Sequence, residues 1–160
     1  MLQRAIAELR DVLPRGTRIV VAAMRPRVCR LGGAIADGVL LNWMLPEQLV
    51  DARRWVQEGA DEAGRAAPLV GSYVRVALAS GSRGRLRAGE RRYRTIEEGH
   101  RKHFAAMNVP LGSVGVAAST PQEVREGLAV YQSTLDLPIV RVLAASDSTS
   151  LTAVADAAAP

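Results

Sequence analysis

Two apolar patterns alternate along the chain. Leu2, Ile6, Leu9 and Val12 recur at helical spacing with Arg4, Glu8 and Asp11 off the stripe, so residues 1–12 are predicted to form an amphipathic helix that Pro14 and Gly16 end. The next run, Arg18-Ile19-Val20-Val21-Ala22-Ala23, is short and β-branched without polar alternation, the pattern of a strand covered on both faces. Arg25 and Pro26 close it, and Pro26 suits the first turn of a helix through residues 27–31. Asp37-Gly38 turns the chain into a second buried strand, Val39-Leu40-Leu41-Asn42. Pro46-Glu47 then opens a long helix with Leu49, Ala52, Val56 and Ala60 inward, and Gly64 stops it. Residues 73–78 and 138–143 read as two further strands.

Between those two strands the pattern is less regular. Ser80-Gly81-Ser82-Arg83-Gly84 reads as loop, residues 93–107 as one helix and residues 112–117 as an extended connector. Thr120-Pro121-Gln122-Glu123 is a helix start, with Thr120 as cap and Glu123 completing a capping box, and the helix continues through Val124, Leu128 and Tyr131. Residues 144–160, rich in Ala, Ser and Asp, read as a partly ordered tail with a short helix from Ser150. Strand alternating with helix is the signature of a parallel α/β fold.

Composition narrows this picture. The chain has 160 residues, 48% of them hydrophobic and 23% charged, which excludes wholesale disorder. That length makes one sizeable core but not a complete eight-stranded (β/α) barrel, which takes about 250 residues. A lone Cys29 excludes an internal disulfide and a zinc site built on several thiolates, and reads as a packed small side chain. The apolar stretches at 19–24 and 39–45 fall far short of the roughly 20 residues that span a bilayer. The N-terminus carries charges throughout instead of the apolar centre of an export signal, so a cytoplasmic location and no membrane partner are expected.

The charge is +5, and Lys102 is the single lysine beside twenty arginines, a usage that fits either phosphate recognition or a coding bias. The densest run, Arg83, Arg85, Arg87, Arg91, Arg92 and Arg94, is interrupted by Gly84, Gly89 and Glu90 and followed by Glu97 and Glu98. With only Tyr93 as an aromatic among them, it reads as a solvated link and not as a nucleic-acid surface.

Ligand chemistry in parallel α/β folds collects at the carboxyl ends of strands. Here those ends offer Ala22-Ala23-Met24-Arg25-Pro26, Asn42-Trp43-Met44, Ser80-Gly81-Ser82 and Ala144-Ala145-Ser146. At the first, the N–H groups of a helix start beside Arg25 suit an anion, although a helix after a strand is common to all such folds. At the second, either Asn42 and Trp43 face a planar ligand or Trp43 plugs the strand ends. Glu97, His100 and His103 share a face of the predicted helix without an HExxH pattern, so they read as a solvated face and no metal site is expected. No nucleophile elbow, Walker loop or Rossmann fingerprint is present, and no catalytic residue is assigned.

The stretch from Arg18 to Arg65 resembles the luciferase-like monooxygenase superfamily, most closely its deazaflavin (coenzyme F420) dependent oxidoreductase branch. The likeness is carried by Ala22, Ala23, Pro26, Leu31, Gly33, Ala36, Asp37, Gly38, Pro46, Glu47, Glu58, Gly59, Ala63, Gly64 and Arg65. It continues in Pro121-Gln122-Glu123-Val124, Tyr131, Leu135-Asp136 and Ile139-Val140-Arg141, so it covers nearly the whole chain, residues 1–160. The resemblance implies a TIM-barrel type α/β fold, of which this chain is the C-terminal half-barrel with about four parallel strands and outer helices, corresponding to the fifth to eighth strands. It implies hydride transfer with coenzyme F420, or FMN as the alternative, to or from a small organic substrate. It places the cofactor's phosphate tail on the backbone at Ala22, Ala23, Met24 and Arg25, with Asn42 and Trp43 beside the ring. Arg25 stands where the family has glycine, a departure that either adds a phosphate contact or obstructs backbone approach. The competing expectation is a catalytically incomplete half-barrel, whose open sheet edges call for a second copy or a complementary half.

Overall fold

In the computed structural model, residues 1–143 and 148–159 are described, apart from the side chains of residues 148–150. All strand pairs are parallel. Three strand–helix units come first: α1 (Leu2–Val12) leads into β1 (Val20–Ala22), then α2 (Pro26–Ile35), β2 (Gly38–Asn42), α3 (Pro46–Glu62) and β3 (Leu69–Leu78). Then follow α4 (Ser82–Ile96), α5 (Glu98–Met107), β4 (Val116–Ala118), α6 (Pro121–Gln132), β5 (Leu137–Val142) and α7 (Ser148–Ala158). β1 pairs β2, β2 pairs β3 and β3 pairs β5, with Val20 opposite Gly38, Gly38 opposite Leu69, and Gly71 opposite Leu137. The four strands read from the sequence are therefore neighbours in chain order.

β4 is an addition to that reading. It lies in the stretch expected to be a connector and pairs with the last three residues of β3, Val76 to Leu78. β3 is ten residues long and its ladder with β2 ends at Tyr73, which leaves its final residues open to a second neighbour. No local pattern in a three-residue strand announces such a partner.

The arginine-rich stretch is the second correction. Arg83 to Arg94 lie in α4 and are no solvated link, because Leu86 and Glu90 are fully buried on its inner side. Glu90 accepts the backbone N–H of Val114 at 2.8 Å and faces Arg94 at 3.4 Å. Arg85 donates to the carbonyls of Leu78, Ser80 and Leu143, and Arg83 to that of Gly112, so these cations bind carbonyls at strand and loop ends. The glycines suggested a loop, yet only Gly81, at φ +75°, adopts the left-handed conformation, and it caps the helix. The single helix expected over 93–107 is two, broken where Glu97 becomes extended.

α7 also exceeds the short helix expected from Ser150. Val154 and Ala157 are buried in the main core. The strand end at Ala144, Ala145 and Ser146 lies outside the described residues. At α6, Thr120 Oγ1 accepts the Glu123 N–H as read from the sequence, while Glu123 reaches back to the N–H of Ser119.

The main core lies between the sheet and its helices. Val39, Leu41, Val70, Val74, Val76 and Leu78 pack against Cys29, Leu49, Val56, Val124, Leu128 and Tyr131. Burial pushes the Cys29 thiol up to about 11, as a packed, inert side chain requires. α2 and α3 touch through backbone: a Cβ on Gly33 would sit 2.0 Å from the Val56 carbonyl oxygen, and one on Gly59 1.9 Å from that of Arg30. The opposite face of the sheet is the third correction, because it is not covered as the apolar runs suggested. Val20 is 56% exposed, Leu69 44% and Leu137 51%.

Candidate functional site

The loops after β1 and β2 meet α5 at the carboxyl end of the sheet. Ala23 N–H donates to Leu40 O, extending the β1–β2 pairing beyond the strand, and the chain then bends at Arg25, whose carbonyl accepts from Val28 and Cys29 to start α2. The N–H groups of Met24, Arg25 and Arg27 make no hydrogen bond among the described residues, as the opening of a helix dictates. Pro26 has no N–H to offer.

Two adjoining cavities open here and share Met24. One, about 260 Å³, is bounded by Met24, Arg25 and Pro26 at the start of α2, by Gln48 and Asp51 at the start of α3, and by His103 of α5. The other, about 150 Å³, is lined by Ala22, Ala23, Met24, Leu40, Asn42 and His100. Five of the six cofactor-site residues named from the sequence, Ala22, Ala23, Met24, Arg25 and Asn42, thus line one cavity or both.

Trp43 is placed differently. Its ring is buried, with the Arg75 guanidinium 3.8 Å from the ring centroid, Tyr93 at 5.0 Å and Phe104 at 5.4 Å. Its backbone is left-handed at φ +52°, a strained conformation for a large side chain. Its carbonyl lies 2.7 Å from His103 Nε2. A carbonyl only accepts, so that nitrogen carries the proton. Burial holds the His103 pKa below the ordinary imidazole value, outweighing the favourable Trp43 carbonyl, with Arg25 and His100 adding to the lowering.

The histidines therefore overturn the reading of a solvated face. His103 is 6% exposed, and His100 packs its ring edge-on to Tyr93 at 5.2 Å with Nδ1 3.4 Å from Glu97. Among the described residues no three His, Cys, Asp or Glu side chains form a metal-binding group.

Sequence reasoning missed Arg75, Arg141 and Tyr93. Arg75 is 2% exposed and donates to Asn42 Oδ1, while its Nη2 is buried without a partner. Burial lowers its pKa to about 10, and the nearby Arg141 adds to that lowering. Arg141, directly opposite it on β5, donates to the Tyr93 hydroxyl at 3.2 Å. Burial pushes Tyr93 up, but Arg141 and Arg75 more than offset this and its pKa is lowered. The available signal was an arginine between valines in each of two apolar strands, Val74-Arg75-Val76 and Val140-Arg141-Val142.

The chain matches no family model and no curated protein. Solved structures do match. An F420-dependent secondary alcohol dehydrogenase in complex with an F420-acetone adduct superposes with a TM-score of 0.74 at 13% identity, over 96% of this chain and 58% of that one. The coenzyme F420 dependent tetrahydromethanopterin reductase from Methanopyrus kandleri gives 0.62 at 17% identity, over 86% and 48%. EDTA monooxygenase from Chelativorans sp. BNC1 gives 0.57 at 15% identity, over 91% and 45%. The fold is that of a TIM-type half-barrel. The chain spans about half the length of these structures. At 13–17% identity the likeness is one of fold, shared by F420-dependent enzymes and a monooxygenase. Among the described residues no helix is long and apolar enough to cross a membrane.

Proposed function

We propose that this chain is the cofactor-tail-binding half of an oxidoreductase that moves a hydride between coenzyme F420, or alternatively FMN, and a small organic substrate in the cytoplasm. The observation that carries the reading is the loop after β1, where the unpaired N–H groups of Met24 and Arg25 and the exposed Arg25 side chain adjoin the 260 Å³ cavity, with the Arg27 N–H next along the helix start. Backbone donors at a helix start together with a guanidinium suit a phosphate, so these residues fit the tail of either cofactor. On this reading Arg25, standing where the family has glycine, supplies charge to the phosphate.

Bound there, the cofactor would accept or supply the hydride. The chain's own residues would anchor and orient it: Met24, Arg25 and Arg27 through the tail, and Asn42 with Ala22 and Leu40 from the smaller cavity. Trp43 would back the site from within its packed cluster.

The test is a fluorescence titration of F420 and of FMN against the chain and its Arg25→Ala variant. Arg25→Ala should weaken binding by about 1 to 3 kcal/mol, the scale of a charge-assisted hydrogen bond. Unchanged affinity removes Arg25 from the site, and no binding of either cofactor to a complete barrel containing this half overturns the reading.

The exposed Val20, Leu69 and Leu137 favour a second reading, in which the half-barrel acts only with a second copy or a complementary half covering that face. Sedimentation that finds a compact monomer at tens of micromolar refutes it.

A further inference from the structure

We infer that Arg75 and Arg141, with Asn42 and Tyr93, form a recognition site for an oxyanion, the carboxylate or phosphate group of an anionic organic substrate. The inference deepens the proposed function and rests on it for the word substrate, since it names the chemical class that the same end of the sheet would receive.

Placement is the first argument. Arg75 and Arg141 are register partners on β3 and β5, so they project from one face on strands about 4.8 Å apart. Val74 and Val76, which flank Arg75, belong to the core on the helix side, so Arg75 projects from the opposite face, where the Trp43 and Tyr93 rings cover it. Asn42 pairs with Tyr73 in the next ladder and its Oδ1 takes one Arg75 donor.

Charge is the second. Like charges directly opposite each other on a sheet are destabilising. Among the described residues no carboxylate lies within ion-pair distance of either arginine, whereas Arg10, Arg30 and Arg53 each hold one and Arg54 holds two. Arg75 is almost wholly buried, and its Nη2 has no hydrogen-bond partner among the described residues. A buried guanidinium with an unmet donor is costly unless something anionic completes it. The planar guanidinium fork is matched to the two oxygens of a carboxylate or phosphate.

The neighbours already in place explain how the cations are held meanwhile. The Trp43 ring lies under the Arg75 guanidinium, and the Tyr93 hydroxyl accepts from Arg141. Neither carries the full negative charge that two arginines call for. Arg141 is exposed and Arg75 is buried, so an incoming oxyanion meets the first and completes the second.

The experiment titrates the full chain, without cofactor, with benzoate and with inorganic phosphate. It follows the Trp43 indole N–H by NMR, assigned in Trp55→Phe. Saturable shifts are expected for at least one probe, and the probe that saturates tells a carboxylate site from a phosphate site. Affinity should fall about 10- to 100-fold in Arg75→Gln and in Arg141→Gln and stay unchanged in Arg4→Gln, an exposed arginine of α1. If Arg75→Gln does not fold, the exposed Arg141 decides the outcome by itself. Absence of saturation with both probes overturns the inference, as does full affinity in Arg141→Gln. Because no cofactor is present, probe binding together with failure of a complete barrel containing this half to bind F420 and FMN defeats the cofactor reading and leaves this site standing.

Discussion

The two ends of the sheet solve opposite problems. At the amino end, Asp37 stands before β2 and accepts the N–H of Ile19 at 2.9 Å and Arg10 at 3.1 Å. Asp136 stands before β5 and accepts the N–H of Val70 at 2.9 Å and both Nη atoms of Arg53. Each carboxylate ties its own strand to a neighbour and is neutralised by an arginine. At the carboxyl end, among the described residues, Arg75 and Arg141 hold no carboxylate, Trp43 and Ala79 are left-handed at φ +52° and +74°, and Trp43 Nε1 and Arg75 Nη2 are buried without hydrogen-bond partners. One end uses its polar groups to hold strands together; the other leaves some of them unmatched, which suits the proposed binding role.

The largest break should come at the carboxyl end. Trp43→Ala empties the cluster shared with Leu86, Phe104 and Val114 and should cost about 3 to 5 kcal/mol in urea unfolding. Retained stability would show that the ring is no keystone.

Asp136→Ala should cost less, about 1 to 3 kcal/mol, the range for stranding a backbone donor and a paired arginine. Its effect should appear as faster hydrogen exchange at Val70 and its neighbours, with cavity binding at the other end unchanged. Equal loosening of both ends would dissolve the contrast.

Acid sharpens the comparison further. Asp37 is held below 3.8 by the Ile19 N–H and Arg10, and Asp136 by Arg53 and the Val70 N–H, burial opposing both. The stability they supply is present above about pH 4 and lost below it. His103 is held below 6.5 by burial, so its share is present above about pH 6.5 and falls as pH drops toward its folded value. Between pH 7 and 5 the Trp43 near-ultraviolet signal should therefore weaken while the amino end stays protected from exchange. His103→Gln, which keeps a donor for the Trp43 carbonyl, should flatten that step.

What the sequence made legible divides along the same line. Asp37-Gly38, Pro26 and Pro46 marked turns and helix starts through local chemistry, and the apolar runs marked four strands, because both signals act within a few residues. The anion-suited loop at Ala22 to Arg25 was legible for the same reason. Arg75 and Arg141 meet across strands 66 residues apart in sequence, and His103 reaches the Trp43 carbonyl 60 residues away. Such pairings leave no mark in either segment alone. The Gly-rich arginine run misled because Leu86 and Glu90 bury a helix that its glycines argue against.

β3 pairs along its length with β2, β4 and β5, and that has a kinetic consequence. The β1, β2 and β3 ladders join segments close in sequence, whereas the Asp136 clasp on Val70 bridges 66 residues. Loop closure of that span must be met before β5 gains any contact. Loop closure therefore predicts that β5 docks after β1, β2 and β3 have paired, and late protection of the Val70 amide in pulsed hydrogen exchange would show that seam closing last.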